Sequence, residues 1–153
     1  MGAARIRLGA PPDYQRISAL MASLWPESSA KEHSLDAQAI LDGTPPGALP
    51  VVIFVAEHDG EIVGFIEVGL RSHADGCDTR QPVGFLEGWF VAEKHREQGV
   101  GAALLAAAED WARAEGCVEM ASDTWIDSEL SQRVHESLKF EVVDRCVHYR
   151  KAL

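Results

Sequence analysis

The chain has 153 residues, 46% of them hydrophobic and 25% charged, which suits one globular domain spanning 1–153 with a core of its own. Its formal net charge of −10 argues against nucleic acid, whose phosphates require a basic surface, and suits a cationic partner. No apolar run approaches the roughly 20 residues of a membrane helix, so no membrane partner is expected.

Arg5 to Leu8 reads as a short opening strand. Pro11-Pro12-Asp13 starts a helix that runs to about Leu24, with proline in the first turn and Asp13 as its cap. Ile17, Leu20, Met21 and Leu24 recur at helical spacing and mark its core face. Residues 27–50 are polar and rich in turns around a second helix, Leu35 to Leu41. Val51–Ala56 and Ile62–Val68 are strands joined at His58-Asp59-Gly60, where Asp-Gly signals a hairpin. After a loop at Ser72–Gln81 comes an apolar central strand, Val83–Val91. The helix beyond it carries Leu104, Leu105, Ala108, Trp111 and Ala112 on one face and ends at Gly116. A strand at Val118–Ser122, a helix near Ser128–Leu138 and two terminal strands, Phe140–Asp144 and Cys146–Lys151, complete a mixed α/β sheet.

The N-terminus, Met1-Gly2-Ala3-Ala4-Arg5, has no apolar signal core behind it. Cys77, Cys117 and Cys146 are too few and too scattered for a disulfide framework, and none forms a metal-ligand pair. A reduced, cytoplasmic setting without a bound metal is the expectation.

The richest stretch is Val83 to Ala108. An apolar strand there delivers Arg96-Glu97-Gln98-Gly99-Val100-Gly101 onto the N-terminus of a helix. Such a turn exposes backbone N–H groups where the helix dipole adds partial positive charge, an arrangement that holds phosphate. Glycines at 99 and 101 keep Cβ atoms away from a bulky anion. On spacing alone, an ordinary turn remains the alternative.

The arginine and two glycines resemble the acetyl-CoA pyrophosphate loop of the GCN5-related N-acetyltransferase (GNAT) superfamily. Gly116-Cys117-Val118-Glu119-Met120-Ala121-Ser122-Asp123-Thr124, Ser131-Gln132-Arg133-Val134-His135, His148-Tyr149-Arg150-Lys151 and Leu24-Trp25-Pro26 are similar to segments of the aminoglycoside 6'-N-acetyltransferases. The resemblance is dense from about Val83 to Lys151 and thinner before it. It implies a GNAT fold of about seven strands and four helices, a lid built from the first two helices, and a homodimer. It also implies transfer of acetyl from acetyl-CoA to the 6'-amine of an aminoglycoside by direct attack in a ternary complex.

Such a transfer needs a neutral amine, N–H donors for the forming oxyanion and a proton for the leaving thiolate. Glu87 lies among Phe85, Leu86, Trp89 and Phe90. A carboxylate there either opens into a cleft as an acid–base group or meets a partner in a structural ion pair. Asp123, at the end of the next strand, is a second candidate for the acceptor amine or else a cap for the segment after it. Tyr149 offers a hydroxyl near the expected site, or packs in a terminal strand. Trp25 is a flat wall for a sugar ring or a staple at a helix end, and Asp144 is a further acceptor-facing carboxylate. The loop Ser72–Asp78 seats no tyrosine where related enzymes use one near the acceptor, so His73 stands as a substitute. The resemblance assigns the cofactor to Phe90 and Val91 along the pantetheine arm, with a backbone oxyanion donor near them. Arg96, Glu97, Gln98, Gly99, Val100, Gly101 and Ala102 would cradle the pyrophosphate. Ser131 and His135 are candidates on the following helix, with a plain helix surface as the alternative. His135 stands where many relatives carry a tyrosine, and Lys139 replaces a glycine common before Phe140.

Two rival readings share the fold. One changes the acceptor to a polyamine, another metabolite or a protein N-terminus; the other keeps acetyl-CoA binding without catalysis. No cysteine has the His/Asp setting that a covalent acyl-enzyme would need.

Overall fold

The computed structural model describes residues 2–153. Its centre is a five-stranded sheet in the order β1 (Arg5–Leu8), β2 (Val51–His58), β3 (Glu61–Arg71), β4 (Val83–Val91) and β5 (Met120–Ser122). Neighbours are antiparallel except β4 and β5, which are parallel and joined through a helix. The β2–β3 hairpin turns on Asp59 and Gly60 with φ of 50° and 82°. Two left-handed residues in succession match the right-handed twist of the strands they join.

Apolar residues of the sheet divide between its two faces. On one, Val63, Ile66, Val68 and Leu86 pack on Val100, Leu104, Leu105 and Ala108 of α3 (Val100–Ala114). On the other, Ile53, Val55, Ile62 and Phe65 pack on Ile17, Leu20 and Met21 of α1 (Tyr14–Leu24) and Ala37 of α2 (Ala30–Leu41). Asp13 does not cap α1 with its side chain. Its carboxylate instead accepts from the Ala10 N–H at 2.8 Å and pairs with Arg7, which holds it below the usual carboxylate range. The second helix begins five residues earlier than the apolar periodicity suggests. Ser29 and Glu32 form a reciprocal capping box that satisfies its first N–H groups.

Helix α4 (Glu129–Ser137) follows β5 as expected, but the two terminal strands do not form. Residues 140–153 are irregular and, apart from half-buried Phe140, exposed. Val142, Val143, Val147 and Tyr149 all face solvent. A strand exists through its ladder partner, and among the described residues none is supplied to this segment. The sheet is therefore five-stranded rather than seven-stranded, within the same mixed α/β class and with the expected four helices.

Candidate active site

Two irregularities in β4 shape the site. The β3–β4 register passes from Glu67↔Gly88 to Val68↔Leu86, so Glu87 is the extra residue of a β-bulge. A bulge re-aims a side chain, and Glu87 turns toward the face that carries Glu67 and Arg71. Gly88 beside it is required by a close approach: a Cβ there would run into the Trp25 ring. Trp25, at the C-terminus of α1, therefore lies against the strand and also meets Phe65 edge-on. His33 of α2 fixes it from above, stacking on the indole at 6.1 Å and donating from Nε2 to the Trp25 carbonyl at 2.9 Å.

Trp25 thus walls a cleft of about 330 Å³ between the sheet and the two helices. Its lining includes Glu27, Ser28, His33, Asp36, Glu67 and Glu87. Among the described residues it carries four carboxylates and no lysine or arginine. The nearest cation is Arg71, whose guanidinium grips Glu87 through two bonds of 2.8 and 2.7 Å and lies 3.5 Å above the Phe85 ring. Glu87 and Asp123 together hold the Arg71 pKa above its ordinary value, the Glu87 hydrogen bond contributing most. Glu67 has no hydrogen-bond or ion-pair partner among the described residues. Burial first, then Glu87 and Asp36, push its carboxyl up to about 7.

The cleft opens onto a split in the sheet. β5 pairs with β4 only as far as Leu86↔Ser122, leaving the outer edge of β4 bare from Glu87 to Val91. The Ala92 N–H donates to Val63 at 2.8 Å. By strand alternation, the Val91 N–H and carbonyl point the other way, into the split. Arg96 Nε holds that carbonyl at 2.8 Å. The loop beyond it takes left-handed backbone at Glu97 (φ 60°) and Gly99 (φ 79°) before α3 begins. The first α3 bond runs from the Ala103 N–H to the Gly99 carbonyl, so the N–H groups of Val100, Gly101 and Ala102 have no acceptor within the helix. No atom lies within 4 Å of where a Gly99 Cβ would be. Free donors, open space and a nearby arginine fit a diphosphate at this turn.

The positions expected from sequence divide as follows. The structure gathers Trp25, Glu87 and Asp123 around one face, with Phe90, Val91 and residues 96–102 leading away from it along the open edge. His73 lies exposed in the loop after β3. Asp144 and Tyr149 lie in the exposed terminal segment, outside the residues that line the cleft. His135 is engaged in packing. Nδ1 donates to the Ser131 carbonyl at 2.7 Å, Nε2 accepts from the Ser122 hydroxyl at 2.9 Å, and the ring sits between Trp89 and Phe140. Ser131 serves the same knot. The sequence singles out none of Glu27, Ser28, His33, Asp36 and Glu67 in the lining of the cleft, nor Arg71 beside it. For Glu67 a signal existed, since it interrupts an apolar strand as Glu87 does.

The acetyltransferase (GNAT) family model matches residues 14–140. An aminoglycoside N(6')-acetyltransferase type 1 of Klebsiella aerogenes is 42% identical over 130 residues, 85% of this chain and 84% of that protein. One from Stenotrophomonas maltophilia is 38% identical over 149 residues, 97% and 93% of the two chains. The solved structure of AAC(6')-Iy with the bisubstrate analogue CoA-S-monomethyl-acetylneamine superposes with a TM-score of 0.89 at 35% identity, covering 99% of this chain and all of that one.

Proposed function

The chain belongs to the acetyltransferase (GNAT) family, and from that premise we propose that it transfers the acetyl group of acetyl-CoA to the 6'-amine of an aminoglycoside. The observation that carries this reading is the junction of an acidic, tryptophan-walled cleft with a bare strand edge that ends in a turn of free backbone N–H groups. Its relatives named for this activity support the choice of acceptor.

The turn at residues 96–102 would hold the pyrophosphate, and the β4 edge the pantetheine arm. Acetyl-CoA supplies the activated acyl carbon. The Val91 N–H, already turned into the split, would donate to the thioester oxygen as negative charge develops there. The carboxylates of the cleft bind ammonium groups of a polycation, and Trp25 offers its face to a sugar ring. Glu87 and Asp123 lie at neighbouring positions beside the split, where the reacting amine must arrive. Attack within one ternary complex needs no acyl-enzyme, and orientation of the two reactants supplies much of the acceleration.

The same reading treats residues 1–153 as one catalytic domain of a cytoplasmic enzyme. The three free cysteines support that compartment, and no helix is long and apolar enough to cross a membrane. A homodimer is supported by the exposed valines of the terminal segment, which a second copy would cover.

Thiol release from acetyl-CoA with kanamycin and with paromomycin tests the acceptor. Kanamycin carries an amine at the 6' position and paromomycin a hydroxyl. Turnover of kanamycin at least 100-fold above paromomycin is the expected result. Equal rates would move the reaction to another amine, and no turnover with either would end the aminoglycoside assignment.

A further inference from the structure

Two carboxylates share the floor of the cleft, and we propose that Glu67, not Glu87, is the group that takes the proton from the acceptor ammonium. This assignment rests on the amine-acetylation reading above.

The two differ in what already occupies them. Glu87 accepts two charge-assisted bonds from Arg71, which is itself braced over Phe85. Both Glu87 oxygens are thus already engaged by a guanidinium, and a proton arriving there must displace one of those bonds. Glu67 sits opposite Gly88 on the neighbouring strand, at the foot of the Trp25 wall, with no partner among the described residues. The groups around it are Glu87 from β4, His33 and Asp36 from α2, and Glu27 after α1. Arg71, the cation of this face, is committed to Glu87. Glu67 is therefore buried beside like charges, a setting that favours its protonated form until a cation enters.

The chemistry balances without another reactant. The Glu67 carboxylate removes one proton from the 6'-ammonium, leaving a neutral amine. The nitrogen lone pair forms the C–N bond to the thioester carbon, and the C–S bond breaks as the tetrahedral intermediate collapses. The second nitrogen proton leaves with the thiolate to give the thiol of CoA. Glu67 returns its proton to solvent once the amide has gone. A carboxyl near 7 is well matched to this exchange at neutral pH.

The test is the pH dependence of kcat/KM for kanamycin in the wild type, Glu67→Gln and Glu87→Gln, with acetyl-CoA affinity measured by calorimetry on each. The wild type should show a rising limb centred near pH 7. Glu67→Gln should lose that limb, leaving the one set by the ammonium itself, with kcat down about 100-fold and acetyl-CoA affinity unchanged. Glu87→Gln should raise the kanamycin KM and keep the limb. Survival of the limb in Glu67→Gln, or a rise in KM alone, would overturn the assignment. A 13C NMR titration of the Glu67 carboxyl in the wild type gives an independent reading: a midpoint near 7 agrees, and one near 4.5 overturns it. Absence of turnover in the wild type would overturn the function along with the assignment. Turnover with the limb intact in Glu67→Gln would overturn the assignment alone.

Discussion

At the scale of single residues, Gly88 and Trp25 are a matched pair, because the missing Cβ of one is the space filled by the other. Gly88→Ala should push the indole off the strand, costing about 1–3 kcal/mol of stability as other overpacked sites do. It should raise the aminoglycoside KM at least tenfold while leaving acetyl-CoA affinity in place, as steady-state kinetics and calorimetry would show. Glu67 has a consequence for stability as well as for chemistry. Folding raises its carboxyl from the ordinary 4.5 to about 7, so between those values the folded chain binds more protons than the unfolded one. Stability then falls as pH rises through that window. Glu67→Gln cannot ionise and should be more stable than the wild type at pH 8, by on the order of 1–3 kcal/mol in denaturant unfolding. That gain should be absent at pH 4. Glu87 was legible as a functional candidate because a carboxylate in an apolar run demands an explanation. The same argument applies to Glu67, but what distinguishes the two is Arg71, a partner 16 residues from Glu87 in the chain.

At the scale of elements, the strand–turn–helix from β4 to α3 was readable almost entirely from sequence. Its information is local: apolar alternation, a glycine at the helix start, and a helix face spaced at three and four. Gly99 has φ 79°, and Gly99→Ala should cost about 1 kcal/mol through left-handed strain. The larger effect should be on acetyl-CoA, whose KM should rise about tenfold as the turn relaxes and its N–H groups diverge. Apolar spacing marks only the later turns of the second helix, since its first turn is secured by the Ser29–Glu32 capping box. The terminal strands show the opposite limit. Val142, Val143 and Val147 have strand propensity, yet propensity cannot supply a ladder partner, and the segment stays irregular and exposed.

At the scale of the whole molecule, that exposed segment and the charge of the cleft make separate claims. If a second copy covers the segment, ending the chain after Phe140 should convert a dimer to a folded monomer in light scattering, because Phe140 still packs on the α3 core. A full-length chain that is monomeric at micromolar concentration would contradict the dimer. The α/β class, the glycine turn before α3, the acidic balance and the candidates at Trp25, Glu87 and Asp123 are legible in the sequence, because each rests on short-range pattern or on composition. Tertiary structure alone decided that Arg71 neutralises Glu87 while Glu67 stays unpaired, that His33 braces Trp25, and that His135 is tied to Ser122. It also left Asp144 and Tyr149 outside the cleft. Those outcomes depend on which strands adjoin, where a bulge turns a side chain and which helix lies above it. Such distances join residues far apart in the chain, and no local pattern encodes them.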